Sequence, residues 1–232
     1  MWTISGVKEK GRNAFKANYG NSVLAGIIAV LFAGGTAASA KYTQGQSQVD
    51  TSSLTSLTPE EIAFGFAAVL GIFVVAMAIT ILVKIFLLNP LYVGSLRFFR
   101  LNAENPGTEL SAIKEGFSDY GRVFVTIFLK DLFLTLWCLL CVVPGLIKVY
   151  SYRMVPFILK DNPELSAMEV ITKSREMMNG NKWRAFLLDL SFIGWILLEC
   201  ITCGLVGIFW TNPYMYNTNA ALYLELKNNS NN

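Results

Sequence analysis

The sequence predicts an all-α integral membrane protein with about six transmembrane helices, arranged as three hairpin repeats with cytoplasmic amphipathic interfacial helices. Three observations predict this. The chain of 232 residues is 53% hydrophobic and only 15% charged, with a mean hydropathy of +0.46, whereas a soluble domain carries about 25% charged residues. The missing charge is concentrated in long apolar stretches, as expected when lipid is the solvent. The basic residues, finally, fall almost wholly on one side of those stretches. The length fits a single multi-pass membrane domain over residues 1–232 and no second domain of ordinary size.

The first apolar stretch, Ser22–Ala38, is about 17 residues and just long enough to cross a bilayer. The second, Ile62–Leu88, meets no charge before Lys84. The third, Val123–Val143, ends at Pro144-Gly145, and the fourth, Leu146–Leu159, is short and carries Lys148 and Arg153. The fifth is Ala185–Cys203, and the sixth runs from Leu205 through Asn212-Pro213 to Leu226. Pro-Gly between spans three and four, and Gly204 between five and six, predict tight turns, so each pair reads as a transmembrane hairpin.

Charge then sets the direction. Lys8, Lys10, Arg12 and Lys16 precede span one, and Arg97, Arg100, Lys114 and Arg122 lie between spans two and three. Lys160, Lys173, Arg175, Lys182 and Arg184 lie between four and five, and Lys227 follows six. The opposite side holds only Lys41, in the polar loop Ala40–Glu61. The positive-inside rule therefore puts both termini and the two charged loops in the cytoplasm. Ala38-Ser39-Ala40 after an apolar run also resembles a signal-peptide cleavage site. The polar lead-in of about 21 residues is long for such a peptide, and the repeat below needs span one as a partner, so retention is favoured.

Short signatures recur along the chain. Tyr19-Gly20-Asn21 precedes span one, Tyr120-Gly121-Arg122 span three, and Lys182-Trp183-Arg184 span five. Each follows an amphipathic stretch: Val7–Lys16, Glu109–Asp119 or Glu164–Asn179. The last two open identically, Glu-Leu-Ser-Ala, and follow Asn105-Pro106 and Asn162-Pro163, read as a helix N-cap with proline in the first turn. The returning spans carry Asn89-Pro90, Pro156 and Asn212-Pro213. The predicted unit is interfacial helix, outward span, turn and inward span with proline, used over residues 5–100, 105–160 and 162–226. Each amphipathic helix is expected either in the headgroup layer or capping the cytoplasmic end of the bundle.

Seven ionisable residues fall within the apolar spans: Lys84, Lys130, Asp131, Lys148, Arg153, Asp189 and Glu199. Such charges are costly in hydrocarbon and tend to pair, face the interior or snorkel. At about 1.5 Å per residue, Asp131 lies roughly 13 Å past Arg122, Arg153 roughly 12 Å before Asp161, and Asp189 roughly 7 Å past Arg184. These depths predict a polar cluster of Asp131, Arg153 and Asp189 between hairpins two and three, and an outer pair of Lys148 and Glu199. Interhelical ion pairing is the favoured role, and a polar path for an ion or solute the alternative. Asn212, Asn217 and Asn219 also suit a polar interior.

The cysteines form two Cys-x-x-Cys pairs, Cys138/Cys141 and Cys200/Cys203, one helical turn apart at the same repeat position. They are the candidates for a metal or a redox pair, but packing is favoured, because buried cysteine behaves as a small hydrophobe. No metal and no cofactor is expected. With no histidine, no Gly-x-Ser-x-Gly and no phosphate-binding glycine loop, no enzyme is expected. The net charge of +3 excludes the strongly basic surface of nucleic-acid binders.

Tyr152–Leu159, Asp161–Met168, Ser174–Met178, Trp183-Arg184, Leu188–Trp195 and Asn212-Pro213-Tyr214 together resemble the bacterial integral-membrane family catalogued as domain of unknown function 975. The resemblance is specific over residues 148–226 and implies a bacterial plasma-membrane protein with no assigned activity. The expected function is that of a non-enzymatic membrane protein acting through contacts with lipids, an envelope protein or a second copy of itself. A small-solute or ion permease or channel with a polar intramembrane site is the alternative.

Overall fold

The computed structural model describes residues 2–32 and 58–230, and among these the regular structure is entirely helical. Most of the loop between spans one and two, with Ala38-Ser39-Ala40, lies outside the described residues, as does the end of span one.

Helix α1 (Ile4–Ala17) starts at Thr3, whose hydroxyl accepts from Gly6 N at 3.2 Å and so satisfies one of the unpaired first-turn amides. Its buried residues Val7, Gly11, Ala14 and Phe15 form one stripe. Asn18 breaks the helix, and α2 (Tyr19–Phe32) follows. Helix α3 (Pro59–Val83) is apolar on all sides and runs through a π-helical turn, Lys84–Leu88, into α4 (Asn89–Glu104). The wide turn has a local cause. Pro90 has no amide hydrogen and its ring collides with the carbonyl four residues back, so the ladder must open there. The same solution recurs at Gly207–Thr211 ahead of Pro213, where α11 (Asn212–Ser230) begins.

The middle hairpin is α5 (Tyr120–Leu140) followed by α6 (Val142–Ser151) and α7 (Val155–Asp161). Its second limb breaks at Tyr152–Met154, just before Pro156 in the first turn of α7. The turn between α5 and α6 lies at Cys141, whose backbone is extended, rather than at Pro144-Gly145, which belong to the first turn of α6. After α8 (Ala167–Met177) comes the fifth predicted apolar stretch, split into α9 (Lys182–Leu190) and α10 (Ile193–Ile201). The last turn, at Thr202–Gly204, puts Cys203 (φ 51°) and Gly204 (φ 88°) in the left-handed region.

The amphipathic segments fold back on the bundle. A 3₁₀ helix, Leu110–Phe117, runs antiparallel to α4, with the Ile113 carbonyl where a Cβ on Gly94 would stand and the Pro90 carbonyl against Gly116. Helix α8 returns beside α7, and Ser174 Oγ donates to Ser151 O at 2.8 Å. Both segments thus pack against neighbouring helices. The Asn-Pro pairs differ from expectation. Asn105 and Asn162 close the preceding helices, donating to Leu101 O (2.8 Å) and Ile158 O (2.9 Å). Their non-helical backbone follows from the proline after each, which disfavours the helical region. Ser166 is the true N-cap of α8 and forms a reciprocal capping box with Glu169.

The buried core gathers where α1, α2, α4, α7, α8 and α11 meet, around Phe15, Phe98, Phe99, Ile158, Leu159 and Leu222. An amide network pins it. Asn102, fully buried, donates to Ala14 O and Asn217 Oδ1 (both 3.0 Å) and accepts from Asn18 Nδ2 (2.8 Å). The other region is the reverse: α3, the distal half of α5, α6 and α10 expose Phe64, Phe73, Leu139, Leu146, Ile201 and many like them. Helix α5 is the one helix among the described residues long and apolar enough, by length and composition, to cross a membrane, and 17% of its apolar window is buried.

The close approach at Gly94 makes a sharp expectation. Gly94→Ala must push the 3₁₀ helix off α4 and should cost about 1–3 kcal/mol, the range for overpacking. Gly121→Ala, where a Cβ meets nothing within 4 Å, should leave thermal unfolding in detergent near wild type. Equal midpoints for the two variants would refute the packing.

Candidate functional site

The most saturated polar centre is Asp161, the last residue of α7. Its side chain is 2% exposed, and side chains of α4 and α11 converge on it. From α4, Arg97 Nη1 lies 2.7 Å from Oδ1 and Arg100 Nε 3.0 Å from Oδ1. From α11, Tyr223 OH donates to Oδ2 at 3.0 Å and Lys227 Nζ lies 2.7 Å from Oδ2. Arg97 also reaches Glu115 in the 3₁₀ helix at 2.8 Å, and Arg100 reaches Glu104 at 2.7 Å. One carboxylate thus ties α4, α7 and α11 together. Burial works against its charged form, but the Lys227 hydrogen bond and the Arg100 charge outweigh burial and hold the carboxyl below its ordinary range. Nearby, Arg122 at the start of α5 donates to the carbonyls of Asn162 and Leu165 (both 3.0 Å) and also of Leu159, fastening the α7–α8 link to α5.

A second centre lies where α6 breaks. Arg153 grips Asp189 with both guanidinium arms, Nη1 to Oδ2 at 2.9 Å and Nη2 to Oδ1 at 2.6 Å. Tyr150 OH donates to Oδ2 at 3.0 Å, and Arg153 Nη2 also donates to Asn219 Oδ1 at 2.6 Å. A planar fork meeting a carboxylate edge-on is the strong form of an ion pair. The break at Tyr152–Met154 aims Arg153 and Tyr150 at α9, while α11 supplies Asn219.

Of the residues singled out in the sequence, the structure therefore brings Arg153 and Asp189 together. Asp131 stands apart from them, with its ion pair to the adjacent Lys130 at 2.9 Å and its side chain 43% exposed. Among the described residues Lys148 and Glu199 form no ion pair. The Lys148 amine lies over the Trp137 ring, 4.5 Å from its centroid, and Lys148 shares a groove with Arg175 and Lys182. The Glu199 carboxyl packs against Gly207. The reason is geometric: depth was counted along unbroken helices, whereas the chain breaks at 152–154 and again at 191–192. Among the spans' other polar groups, Asn217 serves the buried amide network, donating to Ser22 Oγ (3.3 Å) and Pro213 O (2.8 Å).

All four cysteines are free and exposed, and Cys141 and Cys203 sit at helix breaks rather than within helices. Among the described residues no group of three or more Cys, Asp or Glu is placed to hold a metal ion.

Asp161 was missed as a site because its partners stand more than sixty residues away in sequence. A signal was present: Arg100 and Tyr223 each stand ten residues after the proline of their limb, and Asp161 five after its own.

Neither a curated protein nor a solved structure matches the chain. The family model described as "Protein of unknown function (DUF975)" matches residues 139–230. That stretch contains Arg153, Asp161, Asp189 and Lys227, whereas Arg97 and Arg100 lie outside it. Over residues 139–230 the chain is thus similar to the family that the sequence resembles.

Proposed function

We propose that the chain is a multi-pass protein of a bacterial plasma membrane with both termini and its charged loops in the cytoplasm. It acts there through contacts with lipids or envelope proteins rather than by catalysis. One observation carries the reading. Helices α3, α6 and α10 and the distal half of α5 all expose large apolar side chains, and of the charges set among them Arg153 is paired with Asp189 inside the protein and Lys130 with the adjacent Asp131. An apolar surface of that extent suits lipid and is rare on a soluble monomer. Arg153, the cation most suited to a solute, is already held by Asp189, Tyr150 and Asn219.

Interior pairing of this kind is the usual way a helical bundle accommodates charge in hydrocarbon. Single cysteines at positions 149–157, in a background lacking Cys138, Cys141, Cys200 and Cys203, are expected to resist a polar thiol reagent in intact membranes. Labelling confined to one helical face would instead establish a water-filled path, and the permease reading would replace this one.

A further inference from the structure

We propose that the chain binds one anionic phospholipid at the junction of α6, α8 and α9, with its phosphate in a basic groove and an acyl chain in the adjoining apolar groove. The proposal rests on the membrane reading above. The first groove, about 330 Å³, is lined by Lys148, Arg175 and Lys182 with Glu176 as its one carboxylate. None of the three cations forms an ion pair among the described residues. This sets them apart from Arg97, Arg100, Arg153 and Lys227, whose charges are matched within the protein.

The second groove, about 440 Å³, shares Lys182 and continues along Leu146, Ile147, Tyr150, Trp183 and Phe186. Its wall is aromatic and ordered: Trp183 stacks on Phe186 at 5.2 Å between centroids, and Tyr150 meets the Phe186 ring edge-on at 6.3 Å. Leu146, Ile147 and Trp183 are exposed.

Cations and an apolar trough meeting at one lysine match the two halves of a phospholipid. Free phosphate has no use for the trough, and an uncharged lipid has none for the cations. Basic pockets between membrane helices on the cytoplasmic side recognise anionic headgroups in this manner. Tryptophan at the interface gives such a site an apolar body at headgroup level.

The test uses the full chain purified in detergent and titrated by native mass spectrometry with dioleoyl phosphatidylglycerol or dioleoyl phosphatidylcholine. One phosphatidylglycerol should be retained in preference. Lys148→Gln, Arg175→Gln and Lys182→Gln should each weaken that binding about fivefold, the effect of one charge near an anionic headgroup, while Lys114→Gln, outside both grooves, should not. Trp183→Ala with Phe186→Ala should lower affinity for the dioleoyl lipid but not for its dihexanoyl counterpart. Three separate charge variants, each matched to wild type in helical circular dichroism, keep the result independent of any one fold.

Equal retention of both lipids, an equal loss with Lys114→Gln, or displacement by millimolar inorganic phosphate would overturn the site. Alkaline washing of the cell membranes reports separately on the membrane reading. A chain that stays in the pellet yet shows no lipid preference refutes the site alone, and a chain released as a soluble monomer refutes both.

Discussion

Asp161→Asn is expected to lower the thermal midpoint of the detergent-purified protein by on the order of 10 °C, from a loss of about 3–5 kcal/mol. The side chain is 2% exposed and faces Arg97, Arg100 and Lys227. Asparagine keeps the shape but removes the charge, leaving three cations converging on a neutral amide. The penalty is that of uncompensated buried charge, larger than the value of any single pair. Lys227→Gln should cost much less, because Lys227 is one third exposed and the two arginines remain.

The effect should depend on pH in a defined sense. The Asp161 carboxyl is held below its ordinary range, so its stabilisation is fully present above that range. It is lost as the pH falls through the depressed folded value. Wild type and Asp161→Asn should therefore differ most near neutrality and converge in acid. A difference that does not shrink even in acid strong enough to protonate the wild-type carboxyl would show that the charge is not what Asp161 contributes.

Arg153→Ala and Asp189→Ala should each destabilise by about 3 kcal/mol, and the double variant by clearly less than their sum. Each single change strands a charge among apolar helices. Removing both leaves a neutral gap bordered by Tyr150 and Asn219. The test is the coupling energy of the cycle, read from thermal or denaturant unfolding in detergent. Additive singles of a few tenths of a kcal/mol would mean that the two side chains are not structurally joined, as expected if they line a hydrated path instead of fastening α9 to the α6–α7 break.

The limits of sequence reading are visible in these two centres. Depth alone pairs Arg153 with Asp189, which the structure also brings together; both lie within a few turns of a recognisable end of their apolar stretch. The same counting failed for Lys148, since it assumed that α6 and α7 were one rod. The break at Tyr152–Met154 and the return of α8 along α7 bring Lys148 to Arg175 and Lys182. Asp131 was counted correctly along α5, but it faces Lys130 and the outside of the bundle.

The Asn-Pro pairs teach a related point. Proline after asparagine was read as the start of a helix, yet its constraint on the preceding residue made Asn105 and Asn162 the ends of α4 and α7. Ser166 with Glu169 carried the true start signal of α8 and stood in plain view.

What the sequence alone determined is whatever depends on neighbours along the chain: helical class, the apolar stretches and the prolines that interrupt them. These are local preferences, and local chemistry sets them. Only the tertiary structure decided that Arg97, Arg100, Tyr223 and Lys227 converge on Asp161, and that Lys148, Arg175 and Lys182 share a groove beside Trp183. Such meetings depend on where the helices break and how closely glycines such as Gly94 and Gly116 let them approach, and a one-residue change in a break turns a side chain by about 100° around its helix.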